Sequence, residues 1–190
     1  EYFRRHGRMT TTRTKALAAL AAGVLVTNAG LAKDPPGQWY VAPMASVIWV
    51  DNSRAVDDDV GGHIAAGVVM GEAWNLEVGA YYYDLSGFDD TEMWGFDIDA
   101  MAVFYRDNRI SPYLLGGYGY IDKDRDEGDS DKNSAASLAF GFLTDLGDNN
   151  GGIALRTELR WRLDFQDSTD STEQDLIANI GVQIPFGSPD

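Results

Sequence analysis

A strict alternation of charged and apolar residues between positions 155 and 165 restricts this chain to few folds. The segment reads LRTELRWRLDF, in which Arg156, Glu158, Arg160, Arg162 and Asp164 alternate with Leu155, Thr157, Leu159, Trp161, Leu163 and Phe165. Because successive side chains of a β-strand point to opposite faces, a strand here carries every charge on one face and an almost wholly apolar set on the other. A one-residue shift would exchange the two faces, so the register of this strand is strongly specified.

Segments with the same two-residue period recur after Lys33 and are separated by clusters of Gly, Asp, Asn and Ser, a pattern typical of a β-meander. The predicted strands are Trp39–Val50, Gly62–Met70, Trp74–Leu85, Met93–Tyr105, Pro112–Ile121, Ala135–Thr144, Gly152–Phe165 and Glu173–Phe186. Eight antiparallel strands close most simply into an up-and-down barrel, which leaves no open sheet edge. The connections after the second, fourth and sixth strands are expected to be short, and the others to be mostly longer and more acidic.

The first 32 residues differ from the rest of the chain. After Met9, basic residues precede the uncharged run 16–26, and a series of small residues ends at Ala32. This order is typical of a secretory signal peptide. As a helix, the run would reach only about 16 Å against about 30 Å for a hydrocarbon core, which disfavours a retained anchor. We expect a leader and cleavable signal peptide over 1–32 and one barrel domain over 33–190, with a buried amphipathic helix as the alternative for the N-terminal segment.

Composition excludes several classes of function. The formal net charge is -15 at pH 7, so the chain lacks the Lys and Arg excess that contacts to nucleic-acid phosphates require. The chain contains no cysteine, which excludes disulfides and thiolate metal sites. No nucleic-acid partner is therefore expected.

Alternation alone does not show which face of a barrel points outward. A lipocalin-type barrel keeps its apolar side chains inside around a ligand, whereas a membrane barrel turns them toward lipid. Trp39 and Trp49 share one face of the first strand ten residues apart, and Trp94 and Phe104 repeat this spacing on the fourth. Ten residues of a tilted strand rise roughly 25 Å, the height of the lipid-facing band between two aromatic girdles. An ordinary sandwich core would instead concentrate its aromatic residues in mid-strand.

The spacing predicts aromatic girdles outside the barrel and a charged interior. One girdle would contain Trp39, Trp74, Phe104, Phe142 and Phe186, and the other Trp49, Tyr82, Trp94, Tyr120 and Phe165. The opposite face mixes small, polar and ionised side chains, which suits the filled interior of a small membrane barrel better than a ligand pocket. An internal ion-pair network is predicted from Glu77, Asp97, Asp99, Arg156, Glu158, Arg160, Arg162 and Asp164.

Over residues 38–187 the sequence resembles the eight-stranded outer-membrane β-barrel proteins of the OmpA/OmpX type. The resemblance rests on QWYV at 38–41, RISPYLLGGYG at 109–119, the Arg- and Glu-bearing seventh strand and the ending NIGVQIPF at 179–186. This ending resembles the signal that the outer-membrane assembly machinery reads, carried here by Asn179, Gly181, Ile184 and Phe186. Pro185 departs from that pattern and removes one donor from the strand ladder. The periplasmic peptidoglycan-binding domain of OmpA proteins has no counterpart in these residues.

The resemblance implies a monomer in the outer membrane of Gram-negative bacteria, in contact with lipid and lipopolysaccharide. It also implies periplasmic termini, extracellular acidic loops and a role in membrane integrity, adhesion or stress resistance. Because side chains fill the interior of an eight-stranded barrel, a wide pore is not expected. Two alternatives stay open: a narrow channel that prefers cations, since the interior is predicted to hold more acids than bases, and a soluble periplasmic lipocalin-like barrel that binds a ligand.

No catalytic, cofactor or metal site is predicted. His63 is the only histidine after the signal peptide, and it lacks the serine that lipid A deacylase barrels carry two residues further on. The acidic run 122–131 begins like an EF-hand loop, but Glu127 takes the glycine position and Asn133 that of the bidentate glutamate. A solvated acidic loop is expected, with divalent cations shared with lipopolysaccharide phosphates as the alternative.

Overall fold

A computed structural model describes residues 35–49, 59–85, 91–125, 130–147, 152–165 and 172–187. These residues form eight β-strands. In chain order the strands are β1 (Trp39–Trp49), β2 (Asp59–Val69), β3 (Trp74–Leu85), β4 (Thr91–Val103), β5 (Ile110–Arg125), β6 (Ser130–Asp145), β7 (Ala154–Phe165) and β8 (Thr172–Phe186). Within those ranges no helix is both long and apolar enough to cross a membrane.

Each strand pairs antiparallel with its neighbours in the chain, and β8 pairs with β1, which closes the barrel. The predicted eight-stranded antiparallel up-and-down barrel is therefore confirmed. The predicted signal peptide over 1–32 lies outside the described residues, as does most of the acidic connecting sequence.

The predicted ends of three strands are wrong by three residues or more, and the other strand ends agree to within two residues. β5 continues to Arg125 instead of Ile121, β6 begins at Ser130 instead of Ala135, and β2 begins at Asp59 instead of Gly62. Much of the predicted acidic loop is thus a hairpin, in which Asp122 pairs with Lys132 and Lys123 with Asp131. Such a segment has no apolar face, so hydrophobic alternation cannot detect it.

The extension of β5 and β6 also removes the predicted difference in connection length. We call the end that holds the start of β1 and the end of β8 the terminal end, and the opposite end the acidic end. The connections at the terminal end are 70–73, 104–109 and 146–153, and those at the acidic end are 50–58, 86–90, 126–129 and 166–171. The ends differ in charge rather than in loop length, because Asp and Glu dominate the connections at the acidic end.

The strands turn their charged face inward and their apolar face outward. On β7, Arg156 is 0% exposed and Arg160 3%, whereas Leu159 is 49% exposed and Trp161 47%. The same alternation of exposure runs through β1, β3 and β4, but the inward face of β1 is uncharged and includes Met44 and Ile48. This arrangement is the reverse of a lipocalin-type barrel, which buries its apolar set around a ligand. It matches a barrel whose solvent on the outside is lipid.

The barrel closes tightly between β1 and β8. The register pairs Trp39 with Phe186 and continues past Pro43, whose nitrogen has no hydrogen to donate to the ladder. A Cβ atom on Gly181 would lie 2.0 Å from the Pro43 carbonyl oxygen, so only glycine permits this approach. At the terminal end, the Gln38 side-chain amide donates to the Phe186 carbonyl over 2.6 Å. This amide holds the last residue of β8 against the start of β1.

Candidate functional site

The barrel interior is the candidate site, and Arg156 on β7 is fully buried in it. Its Nη1 atom lies 2.7 Å from Glu77 Oε1 and its Nη2 atom 3.1 Å from Glu77 Oε2, which is a bidentate pair across the lumen from β7 to β3. Nη2 also lies 2.9 Å from Glu158 Oε2, and Nε donates to the Tyr113 hydroxyl over 3.1 Å. Paired and bonded in this way, a buried guanidinium is held in one geometry.

Arg160 extends the network toward the acidic end. It contacts three carboxylates: Asp97 Oδ2 at 2.6 Å, Asp99 Oδ2 at 2.8 Å and Glu158 Oε1 at 2.9 Å. Glu158 therefore bridges the two arginines. We call these six residues the central cluster: Glu77, Asp97, Asp99, Arg156, Glu158 and Arg160. Because they come from β3, β4 and β7, the cluster connects opposite walls of the barrel.

Neutral polar groups continue the central cluster to the terminal end. The Tyr40 hydroxyl donates to Glu77 Oε1 over 2.6 Å and accepts from Asn75 Nδ2 over 3.0 Å. Asn75 in turn accepts from Arg106 Nη2 over 2.7 Å, and Arg106 also donates to the Glu72 carbonyl. Arg106 thus reaches from the β4–β5 connection into the mouth of the barrel. A chain of hydrogen bonds runs from this mouth to the middle of the lumen.

A second group of charges lies nearer the acidic end. Arg162 pairs with Asp175 over 2.8 Å and lies over the rings of Tyr81 and Tyr83, 5.1 and 5.6 Å from their centroids. Lys123 ion-pairs with both Asp164 and Glu173. We call this group the outer cluster: Lys123, Arg162, Asp164, Glu173 and Asp175.

The predicted internal network is therefore divided between the two clusters. Six of its residues form the central cluster, while Arg162 and Asp164 pair with Asp175 and Lys123, which the prediction did not include. Asp175 could have been found, since it shares the inward side of its strand with Asn179. Lys123 could not, because its segment was assigned to a loop. The neutral residues that bond to the central cluster, such as Tyr40, were also not predicted, because an uncharged side chain adds nothing to a charge pattern in the sequence.

Tyrosine rings fill much of the remaining lumen by lying over glycines of adjacent strands. A Cβ atom on Gly67 would lie 2.5 Å from Tyr40 Cζ, and one on Gly141 would lie 2.4 Å from Tyr113 Cζ. The described part of the barrel contains a cavity of about 10 Å³, lined by residues that include His63, Asp97 and Arg160. A cavity of this size holds about one water molecule.

The predicted girdle residues lie on the outer face at both ends. Nine of the ten are exposed, and Tyr82 on β3 stands directly opposite Trp94 on β4. Tyr120 is half-buried, because it stacks on Phe96 with ring centroids 5.5 Å apart. The predicted assembly residues alternate less regularly. Asn179 is buried and bonded to Glu158, Ile184 is buried, and Phe186 is exposed at the end of β8.

Within the described residues, no group of three or more His, Asp or Glu side chains is placed to hold a metal ion. His63 is 4% exposed and points into the lumen, where Nε2 lies 3.7 Å from Asp97 Oδ1. Residues 126–129, which belong to the acidic run compared with an EF-hand loop, lie outside the described residues.

A sequence model of the family described as outer membrane protein beta-barrel domain matches residues 16–186. A search of curated proteins finds no match. Among solved structures, Neisserial surface protein A aligns with a TM-score of 0.63 and 16% sequence identity, covering 78% of this chain and 97% of that one.

Two barrels of Pseudomonas aeruginosa are also similar. The N-terminal domain of OprF aligns with a TM-score of 0.54 at 17% identity, covering 79% of this chain and 99% of that one. OprG aligns with a TM-score of 0.54 at 12% identity, covering 84% of this chain and 100% of that one. At these identities the likeness concerns the fold.

Proposed function

Because the chain belongs to the family of outer-membrane β-barrel proteins, we propose that it is an integral outer-membrane protein with a structural or surface-interaction role. The observation that carries this proposal is the filled lumen. Arg156 and Arg160 join carboxylates of β3, β4 and β7, so the centre of the barrel is occupied by a cross-link. An interior of this kind stabilises the wall and leaves the connections at the ends to make external contacts.

The proposal includes partners and an orientation. Exposed residues such as Leu159, Ile98 and Ile180 form an apolar outer band that suits lipid, and exposed aromatic residues at both ends suit the membrane interfaces. An even number of strands places the start of β1 and the end of β8 on one side of the membrane, which we assign to the periplasm. The acidic end then faces lipopolysaccharide at the cell surface. We further propose a monomer whose residues 179–186 are read by the assembly machinery.

Bilayer recordings test the filled lumen. Purified refolded protein is inserted into planar bilayers and compared with Arg160→Ala, a variant that removes one of the two guanidiniums from the central cluster. We expect no large, stable conductance from the wild type, because the central cluster blocks the path. Large stable openings of the wild-type barrel would contradict the structural role. Heat-modifiable migration on a gel checks in parallel that each sample is folded.

A second candidate is a narrow channel that prefers cations, favoured by the four carboxylates that contact only two guanidiniums in the central cluster. A net negative lumen attracts cations. Reversal potentials under a salt gradient distinguish the candidates, since this channel would show small currents with cation selectivity. Glu158→Gln, which removes one of the four charges, would reduce the selectivity of such a channel.

We propose no catalytic role. His63 is buried in the lumen beside a cavity of about 10 Å³, which admits about one water molecule and no lipid. A general base must come within hydrogen-bond reach of its substrate, and this position does not allow it. An altered lipid A profile in cells that express wild-type protein but not His63→Gln would contradict this conclusion.

A further inference from the structure

Two buried polar atoms face each other in the lumen without a hydrogen bond. His63 Nε2 on β2 and Asp97 Oδ1 on β4 are 3.7 Å apart, and within the described residues neither atom has a hydrogen-bond partner. Their residues are 4% and 6% exposed. Buried polar atoms are ordinarily satisfied, and leaving one unpaired destabilises a fold. The hydrogen bonding of His63 and Asp97 is therefore incomplete in this structure.

The space between these two side chains comes from a glycine. A Cβ atom on Gly79 of β3 would lie 2.1 Å from Asp97 Oδ1 and 2.5 Å from His63 Nε2. The small cavity lined by His63 and Asp97 adjoins the same place and also borders Ser137. The imidazole and the carboxylate consequently have room to approach each other or to share a water molecule.

The central cluster, to which Asp97 belongs, carries more negative than positive charge. The central cluster contains four carboxylates and two guanidiniums, and Asp99 Oδ1 also has no hydrogen-bond partner in the described part of the barrel. The polar groups that line the cavity with the imidazole are Tyr81 and Tyr83 of β3, Asp97 of β4, Ser137 of β6, and Arg160 and Arg162 of β7, and Glu158 of β7 also interacts electrostatically with it. Asp99 of β4 and Asp175 of β8 lie behind these two arginines, as the partners of Arg160 and Arg162. On β1, the uncharged Met44 stands opposite His63 in the register.

We propose that His63 and Asp97 form a proton-binding site, and that protonation of the imidazole stabilises the folded barrel. A proton from solvent adds to the imidazole, and Nε2 then donates to Asp97 Oδ1 as an ion pair. Asp97 keeps its contact with Arg160, because that contact uses the other oxygen, Oδ2. The added positive charge offsets part of the negative charge of the central cluster, which a neutral imidazole leaves uncompensated.

The sign of the pH dependence follows from where the ion pair exists. It forms in the folded barrel and not in the unfolded chain, so it adds stability only where the imidazole carries its proton. We therefore expect this stability in mild acid and its loss at higher pH, where the ion pair has no proton. The site therefore makes the folded barrel more stable to unfolding in a mildly acidic medium.

Urea unfolding of the full chain in lipid vesicles, followed by tryptophan fluorescence, tests the site. Measurements run from about pH 8 to about pH 5.5, which brackets the titration of a histidine. We expect the unfolding midpoint of the wild type to shift to higher urea as pH falls, and this shift to be smaller in His63→Gln. Ser137→Ala borders the same cavity without a charge and should retain the full shift. An equal shift in wild type and His63→Gln would overturn the proposal.

Nuclear magnetic resonance supplies a second measurement that needs no lumen variant. The chain has two histidines, of which His6 lies in the N-terminal segment, and His6→Gln leaves one labelled imidazole. We expect the ring nitrogens of His63 to pass from the neutral to the doubly protonated form over the same pH range. A ring that stays neutral down to about pH 5.5 would overturn the proposal, even where His63→Gln fails to fold.

Discussion

At the scale of single residues, Arg156 is the charge whose loss should affect the barrel most. Replacing it by methionine leaves Glu77 buried without its bidentate partner, since Arg156 is the guanidinium that contacts Glu77. Breaking one side of a buried ion pair destabilises a fold by about 3 to 5 kcal/mol. Urea unfolding in vesicles should show this loss for Arg156→Met, whereas Arg109→Met, at an exposed position, should have little effect.

A second variant separates the lost charge from lost packing. Adding Glu77→Gln to Arg156→Met removes the uncompensated negative charge and keeps an acceptor for the Tyr40 hydroxyl. The double variant should then recover part of the lost stability, because the side chains left at 77 and 156 are both neutral. A double variant that is as unstable as Arg156→Met would show that Arg156 stabilises the barrel by contacts other than its pair with Glu77.

Glycine beneath tyrosine is the other residue-scale feature that can be tested directly. A Cβ atom on Gly141 would lie 2.3 Å from the Thr157 carbonyl oxygen and 2.4 Å from Tyr113 Cζ, so Gly141→Ala forces the strand pair or the ring to move. Overpacking of this kind costs about 1 to 3 kcal/mol. Gly116→Ala is the matched control, because its Cβ atom would meet nothing within 4 Å. Similar unfolding midpoints for the two variants would contradict this account.

At the scale of the strand, β7 should distinguish its two faces by charge. Leu159 lies in the middle of its outer face and is 49% exposed, so Leu159→Arg places a cation in the hydrocarbon region. The expected loss is about 2 to 4 kcal/mol near the midplane of the bilayer. Leu159→Ala removes the same apolar side chain without adding charge and should lose less. Unfolding in vesicles measures both, and equal losses would contradict a lipid-facing position for Leu159.

The strands also show what the sequence could and could not predict. Inward and outward faces followed from alternation wherever one face is apolar, as on β7 and β4, since burial against lipid repeats every second residue. The hairpin around Asp122 and Lys132 was missed, because its polar and charged residues give it no apolar face. The partner of Arg162 was also missed. The inward position of Asp175 follows from its own strand, but its pairing with Arg162 depends on the stagger between β7 and β8, which no single strand records.

At the scale of the whole molecule, the closed barrel explains why the charged interior is stable. Each strand has two neighbours, and β1 with β8 leaves no edge, so the backbone hydrogen bonds of the wall are satisfied within it. The interior then needs only local compensation of charge. Most of the acidic residues outside the lumen are gathered at one end, where water and counterions reach them. This asymmetry of charge is our basis for proposing which end of the barrel faces the cell surface and which faces the periplasm.

Cysteine labelling in intact cells tests that orientation. The chain has no cysteine, so Asp107→Cys at the terminal end and Gly128→Cys at the acidic end each introduce a single thiol. A membrane-impermeant maleimide should label Gly128→Cys on intact cells, but Asp107→Cys only after the outer membrane is permeabilised. Both thiols should react after denaturation, which controls for expression. The reverse pattern would invert the barrel and place the acidic end in the periplasm, because alternate connections of an up-and-down barrel all lie on the same side.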